Sequence, residues 1–269
     1  MQHIIITGGS SGIGKATAKL FVKAGANLTI IARNWEKLEK TKIELEAITS
    51  HSNQQILTLK ADVSQQEQVE IAMQTAIAKN GFPDVLITSA GIAYPGDFID
   101  IPVEIFEQTM AVNYFGSLYC IRAVLPMMQQ QRRGQIVLVS SGAGILGIYG
   151  YTAYGASKFA LRGLAEALRA ELKPYKIGVS IVYPPDTDTP QLEAENKIKP
   201  PETKRITETA KVWTAEAVAT EIIKGIKQRK FAITPGLEIS LLYRFHSLLS
   251  PLLNWYVDRI VNQIKSKKY

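Results

Sequence analysis

The stretch His3-Ile4-Ile5-Ile6-Thr7-Gly8-Gly9-Ser10-Ser11-Gly12-Ile13-Gly14 decides the architecture. Its first half is a β-branched run, which reads as a buried strand. Its second half is a glycine-rich turn that opens directly into a helical pattern. Glycines let the backbone turn tightly and approach a pyrophosphate, whose charge rests on the free N–H groups of the helix start. The spacing is Gly8-x3-Gly12-x-Gly14, which makes Gly8, Ser11, Gly12, Ile13 and Gly14 candidate dinucleotide contacts. A plain Gly-Ser turn is the alternative, and the position between first strand and first helix favours the phosphate cradle.

Outward from this turn, β-branched runs recur at Ile4–Thr7, Leu28–Arg33, Ile56–Ala61, Val85–Ser89, Ile136–Ser141, Ile177–Tyr183 and Phe231–Thr234, with helical spacing between them. Such alternation predicts parallel strands joined by right-handed helical crossovers. The runs are nearly all apolar, as strands covered on both faces are. The expected fold is α/β: a doubly wound parallel sheet of about seven strands in three α/β/α layers. Residues 1–235 read as one domain and 236–269 as an amphipathic helical extension. Ligands in such sheets bind beyond the carboxyl ends of the strands, where strand order reverses.

Composition narrows the function classes. The 269 residues suffice for a large core, and 46% hydrophobic content argues against disorder and against a polytopic membrane protein. The net charge of +7 leaves nucleic acid, an anionic membrane surface or an anionic cofactor as partners; basic residues scattered among acidic ones disfavour nucleic acid. The lone Cys120 forms no intrachain disulfide, and with three histidines no metal-ligand cluster is expected. The first strand starts at His3, so no leader is expected ahead of it; the expected location is cytoplasmic, with a peripheral place on the cytosolic face of a membrane as the alternative. The uncharged 134–157 stretch carries six glycines and reads as a strand plus active-site loop rather than a span.

Strand two ends at Arg33, where an acidic residue would serve the ribose hydroxyls of NAD; an arginine suits the 2′-phosphate of NADP. Lys37, four residues on, can face the same anion, and Ser10 can add a hydrogen bond. Asp62 closes the third strand, where its carboxylate can accept from an adenine amino group or cap the next helix, although Ser64 is the better cap candidate.

Tyr154 and Lys158 stand four apart at the head of a strongly helical segment, hence on one face. An ammonium beside a tyrosine favours the phenolate and brings its proton within reach of acid–base work. In a carbonyl reduction Tyr154 would be the general acid. Ser141, thirteen residues earlier at a strand end, could hydrogen-bond the carbonyl oxygen.

The motifs Thr7-Gly8 to Gly14, Asp62, Ala90-Gly91, Asn113, Ser141, Tyr154, Lys158 and Pro184 to Thr189 occur in the order found in short-chain dehydrogenases/reductases, which the chain resembles from Ile4 to about Pro235. The resemblance implies a Rossmann-type sheet and a Ser141–Tyr154–Lys158–Asn113 site. Asn113 would hold a water in a proton relay to Lys158, and Lys158 would also hold the nicotinamide ribose. It further implies cofactor contacts from Val63, Ala90, Gly91, Thr187 and Thr189. The chain departs from the family pattern at Thr88-Ser89, where two asparagines are usual, and at Pro184-Pro185, where Pro-Gly is usual. The second departure stiffens the loop and removes a possible backbone donor.

Tyr183-Pro184-Pro185-Asp186-Thr187-Asp188-Thr189-Pro190 is similar to the signature of the 3-ketodihydrosphingosine reductases within that family, as are Ala32-Arg33-Asn34, Ser157 to Ala160, Arg162 to Leu168 and the 199–209 stretch. This implies NADPH, a long-chain ketone substrate and a homodimer or homotetramer. Asp186 and Asp188 are conceivable partners for an amine. Residues 239–264 are rich in Leu, Tyr, Phe and Trp but interrupted by charges and Pro251, and so read as two amphipathic helices ending in Lys265-Ser266-Lys267-Lys268. Such an element lies on a membrane interface, or packs on the domain or on a dimer partner.

Overall fold

A computed structural model describes residues 2–208 and 210–266; Thr209, Lys267 and Lys268, named above, fall outside them. The strands are β1 (His3–Thr7), β2 (Asn27–Ala32), β3 (Ile56–Lys60), β4 (Val85–Thr88), β5 (Gln135–Val139), β6 (Gly178–Val182), β7 (Thr187–Asp188), β8 (Trp213–Thr214) and β9 (Ala232–Ile233). Seven form one sheet in the order β3-β2-β1-β4-β5-β6-β9, every pair parallel. The short β7 and β8 pair separately beside it. Each expected strand is present, with ends moved by one or two residues; the carboxyl-end residues Arg33, Ser89 and Ser141 lie just past their strands.

Helices α1 (Gly12–Lys23), α2 (Trp35–Glu46) and α9 (Ala215–Lys227) bury Phe21, Leu38 and Ile222 against one face of the sheet. Helices α3 (Gln66–Asn80), α5 (Gly116–Gln131) and α6 (Thr152–Glu171) bury Met73, Ile121 and Leu161 against the other. Side chains alternate along a strand, so Ile4 and Ile6 enter the first core and Ile5 the second. Each is fully buried, worth roughly 1.5–3 kcal/mol apiece. Cys120 belongs to the second core, where burial pushes its thiol up to about 12, so it is inert filling. Chain order reverses between β1 and β4, which places the crevice at the carboxyl ends of these strands.

The remaining helices are α4 (Val103–Met110), α7 (Pro190–Ile198), α8 (Pro201–Thr207) and α10 (Leu237–Lys265). α10 has the two helical segments expected, but corrects the place of the break, which is not at Pro251. The helix runs through Pro251 and is kinked at Phe245, whose φ of −120° and ψ of 16° are non-helical. Proline removes the bond to the Ser247 carbonyl, and the Ser250 hydroxyl donates to that carbonyl at 3.3 Å instead. A second correction concerns α3, which neither Asp62 nor Ser64 caps: Gln65 is its N-cap and makes no side-chain cap bond. Asp62 instead closes a turn on Ser64, accepting from its amide at 3.0 Å and its hydroxyl at 2.8 Å.

Candidate active site

The carboxyl ends of β1, β4 and β5 open onto a cavity of about 460 Å³. Its floor is the glycine turn. Gly8 has φ +70°, and a Cβ there would sit 2.7 Å from the Ala90 amide nitrogen. A Cβ on Gly14 would meet the Gly8 carbonyl oxygen at 2.4 Å. The close approaches between these backbones therefore demand glycine. Ser11, the N-cap of α1, makes no side-chain cap bond, so the first N–H groups of the helix remain available to an anion in the cavity.

Ser11, Gly12, Ile13, Ala90, Gly91, Ser141, Tyr154, Lys158, Thr187 and Thr189 share this cavity with Gly8 and Gly14. Thr189 has a second task, since its hydroxyl caps α7 by accepting from the Leu192 amide at 3.3 Å. Arg33, Lys37, Asp62, Val63 and Ser10 lie off the cavity wall. Arg33 reaches Asp62 at 3.6 Å beyond the end of β2, and both remain partly exposed. Lys37 is exposed in the first turn of α2, whose cap is Asn34. The Ser10 carbonyl accepts from the Thr41 hydroxyl, and Val63 packs against Gly116.

Asn113 sits in a π-helical turn, Ala111–Phe115, between α4 and α5. Its Oδ1 accepts from the Ile92 amide at 2.8 Å; its Nδ2 donates to the Ile92 carbonyl at 3.0 Å and to Ser157 Oγ at 2.8 Å. Both amide hydrogens are thus committed to holding the β4 loop against α6. Its backbone carbonyl accepts from Ser117 Oγ at 2.9 Å.

Lys158 is buried, with Nζ donating to the Val139 carbonyl at 2.9 Å and lying 5.5 Å from the Tyr154 ring centroid. Burial lowers its pKa to about 8, and Glu195 partly counters this. The lowering of the Tyr154 phenol expected from a neighbouring Lys158 ammonium is reversed: burial and the negative charges of Glu195 and Asp186 hold it well above its ordinary range, while side-chain contacts from Ser141 and Gln191 pull it back. Ser141 Oγ also accepts from the Ala143 amide at 3.2 Å, which fixes the loop after β5.

Several contributors carry no signal in the sequence that singles them out. Ser140 Oγ donates to the Lys158 carbonyl at 3.0 Å and clamps α6 onto β5. Glu195 accepts from the Tyr151 hydroxyl at 2.5 Å and from Gln191 Nε2 at 2.8 Å. The i, i+3 spacing of Tyr151 and Tyr154 and the i, i+4 spacing of Gln191 and Glu195 are visible in the chain, but only the fold turns these helices toward one another. At the Thr88-Ser89 departure, the buried Thr88 hydroxyl has no partner among the described residues. At Pro184-Pro185, the Pro184 carbonyl accepts from the Gly142 amide at 3.0 Å.

Residues 2–199 match the family model of the short chain dehydrogenases. A 3-ketodihydrosphingosine reductase of Bos taurus is 48% identical over 87% of this chain and 71% of its own length. One of Dictyostelium discoideum is 40% identical over 93% of this chain and 83% of its own length. Among solved structures, a short chain dehydrogenase/reductase from Burkholderia phymatum in complex with NAD superposes with a TM-score of 0.82 at 24% identity, covering 93% of this chain and 94% of that one. The parallel sheet, the glycine turn at its switch point and these matches agree: the chain belongs to the short-chain dehydrogenase/reductase family.

Proposed function

We propose that this protein reduces the ketone of a long-chain sphingoid base, 3-ketodihydrosphingosine, to the secondary alcohol, using NADPH. The observation that carries the reading is the shared wall: Tyr154, Lys158 and Ser141 meet the glycine turn in one cavity. The names of relatives at 40–48% identity supply the substrate. The tight glycine backbones and the uncapped start of α1 fit a pyrophosphate, and Arg33 with Lys37 fits a 2′-phosphate.

When bound, the reduced dinucleotide supplies a hydride to the carbonyl carbon. Tyr154 gives its phenolic proton to the carbonyl oxygen. Ser141 donates a hydrogen bond to that oxygen and stabilises its growing charge. Lys158 has one N–H on Val139, leaving two for the ribose hydroxyls, and its cation stabilises the phenolate left on Tyr154. Asn113 positions the β4 loop, and its carbonyl takes part in a water relay to Lys158. Gly8, Ser10, Ser11, Gly12, Ile13, Gly14, Asp62, Val63, Ala90, Gly91, Thr187 and Thr189 complete the cofactor site. In this reading residues 1–235 are the reductase domain and 236–269 its extension. Two subunits or four assemble through the helices near Asn113 and after Tyr154, where Phe115 and Phe159 are 40% exposed. Following NADPH absorbance with 3-ketodihydrosphingosine in mixed micelles tests the reading. Turnover of that ketone above a panel of steroid and β-ketoacyl substrates is expected, and turnover of only the other ketones refutes the substrate.

The extension has a separate reading. Ile239, Leu242 and Tyr243 pack on the core, while Leu241, Phe245, Leu248, Leu252 and Trp255 are exposed along α10. No helix among the described residues is long and apolar enough to cross a membrane. We infer that this face rests in the interface of a membrane, on its cytoplasmic side. Co-sedimentation with anionic vesicles checks this: L248S/L252S/W255S is expected to move to the supernatant, and equal pelleting with the unaltered chain contradicts it.

A further inference from the structure

Two carboxylates beside Tyr154 have no task in the proton chemistry above. Glu195 is 7% exposed, and its two oxygens are held by Tyr151 and Gln191. Both donors are neutral, so they fix the carboxylate without cancelling its charge. Asp186 lines the same cavity, and its carboxylate accepts no hydrogen bond among the described residues. Lys158 acts on Glu195 and the buried Lys199, 6.0 Å from the Tyr151 ring centroid, acts on Asp186, but neither makes an ion pair with its acid among the described residues. Both acids lie close enough to oppose ionisation of Tyr154. Negative charge is the wrong sign for a ketone oxygen that gathers electrons as it is reduced. Burying carboxylates here is costly unless a cation meets them in the working complex.

An α-amino ketone brings that cation. Its ammonium sits on the carbon next to the carbonyl, about 3 Å from the carbonyl oxygen by bond lengths. With that oxygen at hydrogen-bond distance from Tyr154, the ammonium falls within about 6 Å of the phenol, in the cavity that Asp186 and Glu195 also line. Each carboxylate oxygen keeps a free lone pair for an N–H donor.

We propose that Asp186 and Glu195 form an ammonium subsite beside the ketone site, which makes the cavity selective for α-amino ketones; this rests on the reading of the cavity as a ketone reductase. The readout is the ratio of kcat/KM for a long-chain α-amino ketone to that for the same ketone lacking the amine. A charge-assisted hydrogen bond is worth about 10- to 100-fold, so the unaltered protein should show a ratio of that order. Asp186→Asn and Glu195→Gln should each pull it toward one, with the change carried by the KM of the amino ketone. A ratio near one in the unaltered protein overturns the proposal without any variant. So does an unchanged ratio in both variants, since general damage lowers both substrates alike. Turnover of no ketone refutes the reductase reading and the subsite with it, whereas turnover without discrimination refutes the subsite alone.

Discussion

Burial acts on Tyr154 and Lys158 in opposite senses: it keeps the proton on the phenol and loosens it from the ammonium. In the proposed mechanism, reduction consumes the protonated tyrosine and needs the lysine charged. With Lys158 lowered to about 8, its cation is present below that pH and lost above it. The expected kcat/KM for reduction is flat at neutral pH and falls about tenfold per pH unit above about pH 8. A profile still flat at about pH 9.5 would show that the lysine charge is not required. Arg33 is the residue proposed to set cofactor choice. Arg33→Asp removes the cation and faces Asp62 with a second carboxylate. A shift from NADPH toward NADH of roughly 10- to 100-fold is expected from paired kcat/KM values, and unchanged selectivity would remove the 2′-phosphate role. That Tyr154, Lys158 and Ser141 would share one cavity was legible because i, i+4 spacing and strand ends carry direct geometric meaning. Glu195 was not, because an acid on a surface-patterned helix shows no sign of burial until α7 folds over the cavity.

In the proposed cofactor site, the first turn of α1 is the element that receives the pyrophosphate. Gly8→Ala forces a side chain into positive φ and against the Ala90 backbone at 2.7 Å. The expected cost is about 1–3 kcal/mol of stability, read as a lower Tm, together with weaker NADPH binding by fluorescence titration. Wild-type Tm and affinity would mean that the turn relaxes freely. The strands were legible as elements because each is an apolar run bounded by turn residues. Their ends were less so: Gln135 is buried and begins β5, although its polar side chain reads as loop. Its Nε2 donates to Ser180 on β6 at 2.9 Å, a pairing that only the sheet creates. The π-turn holding Asn113 was equally hidden, since its extra residue leaves no sequence period. The break expected at Pro251 is absent for a related cause: a proline in an exposed helix is tolerated when a neighbouring serine takes the freed carbonyl.

At the scale of the molecule, the doubly wound sheet gathers residues far apart in the chain at one switch point. Gly8 after β1, Gly91 after β4, Ser141 after β5 and Thr187 after β6 reach one cavity because all four strands run the same way. That convergence was readable from the alternation of strands and helices alone. The placement of α10 was not, because its apolar residues suit the domain and a membrane equally; its first turns pack on the core and its later ones stay exposed. The cavity is proposed to reduce a sphingoid ketone with Tyr154 as acid. The direct measurement is NADPH oxidation with 3-ketodihydrosphingosine in mixed micelles, comparing the unaltered chain with Tyr154→Phe at matched cofactor occupancy. Turnover is expected in the former and a loss of about 10²–10⁴-fold in the latter, with NADPH binding retained. A Tyr154→Phe rate within a few-fold of the unaltered chain would contradict it.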